Sequence, residues 1–297
     1  MINKETKDPR QAFYTNKFPI QDQETPALQD EMMPEPDAGE ESYVGGNKLE
    51  GKRALVTGGD SGIGRAVAIA FAREGADVAI QYLPGEEKDA EEVEAYIKEA
   101  GRRSLLLPMD LREKETGTEI VEKTLSEFGG IDLLVLNAGQ QIAQTSLEDL
   151  TMKQVRETFE VNIFSMYESI KAAEKHLAPG ASIIMTSSVQ SFNPTAHFLD
   201  YAATNASISN LTVNLAAYFG EKGVRVNAVA PGPIWTPLQL DQGRPKDTIP
   251  EFGRDTPLGR AGQPVELAPV YVLLASDDAS YITGSIYEVT GGEAISL

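Results

Sequence analysis

The chain has 297 residues, ordinary apolar (41%) and charged (24%) fractions, no cysteine, and a formal net charge of −19. Such a field repels nucleic acid and anionic lipid, and the missing cysteines remove disulfides, thiolate metal sites and cysteine nucleophiles. No stretch reaches the roughly 18–20 apolar residues of a membrane span. The polar start, Met1 to Arg10, lacks the apolar core of a secretion signal, so the cytoplasm is the expected location.

Residues 1–50 hold five prolines and eleven acidic against five basic residues, without helical or strand period. This composition reads as an extended polar N-terminal arm. It is either a disordered tail or an arm anchored along the domain or a neighbouring subunit by Phe13, Tyr14, Phe18, Leu28, Met32 and Tyr43. From 51 to 297 the texture alternates. Short runs rich in Val, Ile and Leu predict strands at Arg53–Thr57, Asp77–Tyr82, Ser104–Pro108, Ile131–Asn137, Ser182–Thr186, Arg225–Val229 and Ser285–Val289. Segments of helical period lie between them at Ile63–Glu74, Lys88–Ala100, Lys114–Phe128, Met152–Leu177, Ala202–Phe219 and Pro264–Ala275. Near-continuous apolar strands separated by helices predict one α/β domain with a doubly wound parallel sheet buried on both faces. The proline-rich stretch Gly232–Pro257 is too irregular for a core element and is expected to form a lid or substrate loop.

The first strand runs into Thr57-Gly58-Gly59-Asp60-Ser61-Gly62-Ile63-Gly64, and a helix follows at once. Glycines there permit a sharp turn, a close backbone approach to a pyrophosphate, and tight packing of helix on sheet. A pyrophosphate at this point meets the positive helix N-terminus and its free N–H groups.

From this point the sequence resembles the short-chain dehydrogenase/reductase family, over about Lys48 to Glu293. Thr57–Gly64 looks like the family's cofactor turn, Asp110-Leu111 like its adenine-contacting pair, and Asn137-Ala138-Gly139 like its N-A-G motif, with Leu136 where a second asparagine is usual. Asn162 stands where the family has its helix asparagine. Ser188 precedes Tyr201 by thirteen residues, the family's spacing, and Pro231-Gly232 with Thr236 matches its P-G-x-x-x-T segment. The arm resembles that of a bacterial subgroup similar to glucose/ribitol dehydrogenases. The resemblance implies a Rossmann-like fold and an NAD(P)-dependent oxidoreductase acting on a small carbonyl, aldehyde or polyol. It implies Tyr201 as acid/base, Ser188 as holder of the substrate oxygen and Asn162 as a relay member. The cofactor residues carried over are Gly58, Asp60, Ser61, Gly62, Ile63, Gly64, Tyr82, Asp110, Leu111, Asn137, Ala138, Gly139, Tyr201, Asn205, Pro231, Gly232, Ile234 and Thr236.

One member departs from the pattern. In Tyr201-Ala202-Ala203-Thr204-Asn205, Asn205 stands where the family has the lysine that lowers the tyrosine pKa and bonds the nicotinamide ribose. Asparagine still hydrogen-bonds but carries no charge. The chain is then a slow dehydrogenase using another group or water, a cofactor-binding member with an impaired site, or a form in which the substitution is particular to this chain. The second strand ends Gln81-Tyr82-Leu83, with neither the carboxylate that takes ribose hydroxyls nor a base for a 2′-phosphate, and Glu86-Glu87 follow; the reading favours NAD(H) over NADP(H).

Gln190, Phe192, His197, Trp235 and Leu238 are near enough in sequence to line the substrate end. The acidic clusters Glu86–Glu92 and Asp30–Glu41 read as solvated surface. Two histidines, His176 and His197, give no metal-ligand spacing. A hydrolase grouping of Ser188, His197 and Asp200 lacks the G-x-S-x-G elbow. By resemblance the apolar C-terminal segments Leu267–Leu274 and Tyr281–Val289 pair subunits, giving a homotetramer or homodimer.

Overall fold

A computed structural model describes Lys7 to Glu293. Seven strands form one all-parallel sheet in the order β3-β2-β1-β4-β5-β6-β7. They are β1 (Arg53–Thr57), β2 (Asp77–Tyr82), β3 (Ser104–Pro108), β4 (Leu133–Leu136), β5 (Ser182–Thr186), β6 (Arg225–Pro231) and β7 (Ile286–Val289). The helices are α1 (Gly62–Arg73), α2 (Glu87–Glu99), α3 (Thr116–Phe128), α4 (Met152–Phe159), α5 (Ser165–Ala173), α6 (Leu199–Gly220) and α7 (Ala268–Ala275). Strands this apolar need cover on both faces, and they have it. One core packs α1, α2 and α7 on the sheet through residues such as Val56, Phe71, Ile80, Ile97 and Leu274. The other packs α3, α5 and α6 through Leu55, Ile120, Ile170, Ile183 and Phe219. The strand order reverses between β1 and β4, and a sheet of this kind leaves its crevice there, beyond the carboxyl ends of the strands.

Two of the expected helices differ. The segment Met152–Leu177 is not one helix: a π-turn, Glu160–Phe164, separates α4 from α5, and a 3₁₀ turn, Glu174–His176, ends it. The extra residue in the turn directs Asn162 inward, where its Nδ2 donates to the Gln140 carbonyl at 3.1 Å and to Thr204 Oγ1 at 3.0 Å, and its Oδ1 accepts the Gln140 N–H at 2.7 Å. Such turns recur where a helix must present a particular group. The last helix is likewise shorter, a 3₁₀ turn Pro264–Glu266 preceding α7.

Among its described residues the arm contains two 3₁₀ turns, Pro9–Gln11 and Gln29–Glu31, and it lies against the domain. Phe18, Ala27 and Met32 are buried with Trp235, Leu240, Ile249, Phe252 and Ala261 in a third apolar cluster. Farther along, the Glu74 carboxylate at the end of α1 accepts from Tyr43 Oη (2.7 Å) and the Gly46 and Lys48 N–H groups (2.8 and 2.9 Å). Trp235 is therefore no pocket residue. Its ring is fully buried, stacks on Phe18 at 3.9 Å, and donates Nε1–H to the Pro34 carbonyl at 2.7 Å.

Candidate active site

A cavity of about 1230 Å³ opens at the carboxyl ends of the strands. Its wall includes Gly58, Asp60, Ser61, Gly62, Ile63, Tyr82, Asp110, Leu111, Asn137, Ala138, Gly139, Asn162, Ser188, Tyr201, Asn205, Pro231, Gly232, Ile234 and Thr236. Of the catalytic and cofactor residues read from sequence only Gly64 lies off the wall. It is a packing glycine: a Cβ there would sit 1.7 Å from the Gly58 carbonyl oxygen. Gly58 and Gly62 have φ of +60° and +51°, the left-handed region that costs a side-chain-bearing residue most.

The turn is suited to a dinucleotide. Ser61 stands at the N-cap of α1 with its hydroxyl not bonded to the helix, and Ile63, in the first turn, faces the cavity with a backbone N–H that the helix cannot use. Asn137 braces this end: its Nδ2 donates to the Thr57 and Gly58 carbonyls (3.3 Å each) and its Oδ1 accepts from Thr186 Oγ1 (3.0 Å). Residues present therefore fit a pyrophosphate over the α1 N-terminus.

Toward the other end, α6 carries Tyr201 and Asn205 on one face, four residues apart, and Ser188 caps the 3₁₀ turn after β5. Burial pushes the Tyr201 hydroxyl above its ordinary range, while hydrogen bonding from Ser188 and Asn205 pulls it down. Asn205 is itself buried and spends its Nδ2 on the Tyr201 carbonyl at 2.9 Å. Among the described residues the cavity wall holds three cations, Arg112, Arg244 and Arg254, and none of them acts on the Tyr201 hydroxyl. Among the described residues Tyr201 thus has hydrogen-bonding support and no cation beside its hydroxyl.

Gln190 and Leu238 join the wall, but Phe192 and His197 do not. His197 is exposed, its Nδ1 3.1 Å from the Gln144 carbonyl oxygen, because the loop turns it toward solvent. Asp200 is buried and accepts from Gln154 Nε2 and Thr158 Oγ1, so no Ser/His/Asp grouping forms.

Sequence reasoning missed the acidic edge. Asp89 is fully buried and Glu86 lines the cavity, so this part of the cluster is not solvated surface. Burial raises the pKa of Asp60, Glu86 and Asp89 alike; repulsion from Asp89 adds to it at Asp60, from Asp60 and Asp89 at Glu86, and from Asp30 and Glu92 at Asp89. It also missed the arm's role. Thr25 and Ala27 line the cavity, Gln29 Oε1 accepts the Gly62 N–H at 2.8 Å, and the Gln29 N–H donates to Asp89 at 2.6 Å. Polar residues without period give no signal of such contacts.

Fold, turn and cavity define a dinucleotide-dependent α/β oxidoreductase. The family model described as enoyl-(acyl carrier protein) reductase matches residues 58–293. The chain is 54% identical over 295 residues to the uncharacterized oxidoreductase YhxD of Bacillus subtilis (strain 168), covering 98% of this chain and 99% of that one. It is 44% identical to the glucose and ribitol dehydrogenase homolog of Oryza sativa subsp. japonica, covering 94% and 98%. A crystal structure of a short chain dehydrogenase from Burkholderia cenocepacia J2315 in complex with NADP superposes with a TM-score of 0.76 at 32% identity, covering 82% of this chain and 98% of that one. The chain belongs to the short-chain dehydrogenase/reductase family and is an NAD(P)-dependent oxidoreductase of that type.

Proposed function

We propose that this chain interconverts a small carbonyl compound and the matching alcohol or polyol, with Tyr201 moving the proton and Ser188 holding the reacting oxygen. The observation that carries this is the convergence of Ser188, Tyr201, Asn162 and the Pro231–Thr236 segment on the same cavity as the glycine turn. When bound, the nicotinamide supplies or takes up the hydride. Ser188 Oγ and Tyr201 Oη bond the substrate oxygen, and Tyr201 gives it a proton on reduction or removes one on oxidation. Asn162, both ends of its side chain engaged, fixes the π-turn beside Gln140. Asn205 holds the turn of α6 below Tyr201 and offers the ribose a hydrogen bond in place of the usual cation.

A second reading has one observation in its favour. With no cation beside Tyr201, a site that binds cofactor and turns over poorly serves a binding role. The test is turnover with a panel of aldehydes, ketones and sugars by the chain and by Tyr201→Phe. The proposal expects activity in the first and its loss by at least about a hundred-fold in the second, with cofactor binding kept. Cofactor binding with equal, negligible activity in both supports the binding role.

The cofactor assigned here is NAD(H). Asp60, Tyr82, Glu86 and Asp110 line the β2–β3 end, and its one cation, Arg112, is already forked onto Asp110 at 2.6–2.9 Å. A 2′-phosphate would meet carboxyl groups there rather than a free base. The Burkholderia neighbour's NADP makes this a point for titration. The exposed Phe164, Tyr167, Val213 and Tyr218 on and beside α5 and α6 support assembly into a homotetramer or homodimer, and we assign the protein to the cytoplasm.

A further inference from the structure

The Gly232–Pro257 segment carries a cation that the mechanism above does not use. Arg244 lines the cavity at its substrate end, with its guanidinium carbon 4.9 Å from the centre of the Phe252 ring and 5.9 Å from that of Phe198. Phe198 in turn packs edge-on against Tyr201, ring centres 6.2 Å apart, so one aromatic ring separates the guanidinium from the proton donor. The segment is held on both sides. Gln141 Nε2 donates to the Gly243 carbonyl at 2.7 Å, a Cβ on Gly243 would lie 1.8 Å from the Leu238 carbonyl oxygen, and Pro245 restricts the backbone of the residue before it.

The other two cations of the wall have partners: Arg112 has Asp110, and Arg254 has Glu251 and the Thr15 carbonyl. Arg244 makes no hydrogen bond or ion pair among the described residues, and its Nε is buried without an acceptor. Asp255 and Glu293 attract it from beyond ion-pair distance. A guanidinium stays charged in such a place, and leaving it unmatched costs stability unless something binds it. Its planar fork fits a carboxylate through two parallel hydrogen bonds. Asp247, Asp255 and Glu293 on the same wall disfavour a doubly charged phosphate.

We infer that Arg244 is a carboxylate subsite and that the substrate is an oxo acid, bound with its carboxylate on Arg244 and its carbonyl at Tyr201. The inference rests on the carbonyl-reduction reading above. The carbonyl carbon gains a hydride from the reduced nicotinamide dinucleotide, the C=O π pair goes to oxygen, and oxygen takes the Tyr201 proton. The products are a hydroxy acid, the oxidised dinucleotide and a Tyr201 phenolate, which takes a proton back from solvent.

The test compares linear oxo acids of increasing chain length, and the matching hydroxy acids, with their methyl esters. The full chain, Arg244→Lys and Arg244→Met are used, with the cofactor present. Binding is followed by calorimetry and turnover by nicotinamide absorbance. The proposal expects acids to be preferred over esters, with Arg244→Met weakening acids by about ten- to a hundred-fold and leaving esters unchanged. Arg244→Lys should recover part of that preference. Acid binding that depends on Arg244 without turnover upholds the subsite and defeats the catalytic reading. Equal use of acids and esters, equal losses on both in Arg244→Met, or binding of neither class overturns the subsite.

Discussion

Replacing Asn205 with lysine puts a cation beside Tyr201, the proposed proton donor, and the surroundings of its hydroxyl say what should follow. Burial raises the Tyr201 hydroxyl above its ordinary range near 10, and the neighbours opposing this are neutral Ser188 and Asn205. In the alcohol-oxidising direction Tyr201 must be deprotonated to act as base, so the rate should climb with pH from pH 7 toward pH 10. An ammonium within a few ångströms typically lowers such a pKa by about 1–3, equivalent to about 1.4–4 kcal/mol. Asn205→Lys should therefore move the whole pH–rate profile to lower pH and raise the rate at pH 8 by about ten- to a thousand-fold. The assay is NADH formation from a panel of alcohols and polyols across that pH range, with a thermal melt to confirm that the buried lysine is tolerated. An unshifted profile in a folded variant that binds cofactor would refute the reasoning, for it would mean that the charge at this position does not set the pKa of the base.

Three further predictions follow from the packing and the acidic edge. The Glu86 carboxyl has its pKa raised by burial and by Asp60, so it keeps a proton when folded that it loses when unfolded. Stability from this group is full below about pH 4 and falls as the pH rises; Glu86→Gln should melt higher than the parent at pH 8, with the gap closing toward pH 4. A gap independent of pH in parallel melts would defeat this. Trp235→Ala removes a fully buried ring stacked on the arm and should cost about 3–5 kcal/mol in urea unfolding, whereas a loss below about 1 kcal/mol would show that the arm is not part of the folded unit. Gln29→Ala leaves the buried Gly62 N–H without its acceptor, worth about 1–3 kcal/mol of stability, and should weaken NADH binding while sparing kcat at saturation. Titration shows whether it does.

Most of the fold was legible because a buried parallel sheet writes itself as short runs of Val, Ile and Leu. Strands β1, β2, β3 and β5 begin and end where the pattern puts them, and β6 runs on to Pro231. The break at Glu160–Phe164 was not legible, since a π-turn adds one residue without interrupting the apolar period around it. Trp235 illustrates the limit of sequence proximity: two residues from the Pro233 bend, it points away from the cavity toward Phe18, more than two hundred positions earlier. The acidic edge was hidden for the same kind of reason. Glu86 and Asp89 sit in a run of charges typical of a solvated helix start, and only the arm lying over them takes Asp89 out of water. Arg244 gave no signal either, because what distinguishes it is the absence of a partner among the described residues, which spacing cannot show.

The most direct test of the account is a titration of the full chain with NADH and NADPH, followed by nicotinamide fluorescence, alongside Gly64→Val. A side chain on Gly64 would collide with the Gly58 carbonyl and distort the turn. The account predicts saturable binding of one NADH per chain, weaker binding of NADPH, and loss of both in Gly64→Val. A cooperatively folded chain that binds neither dinucleotide would contradict it.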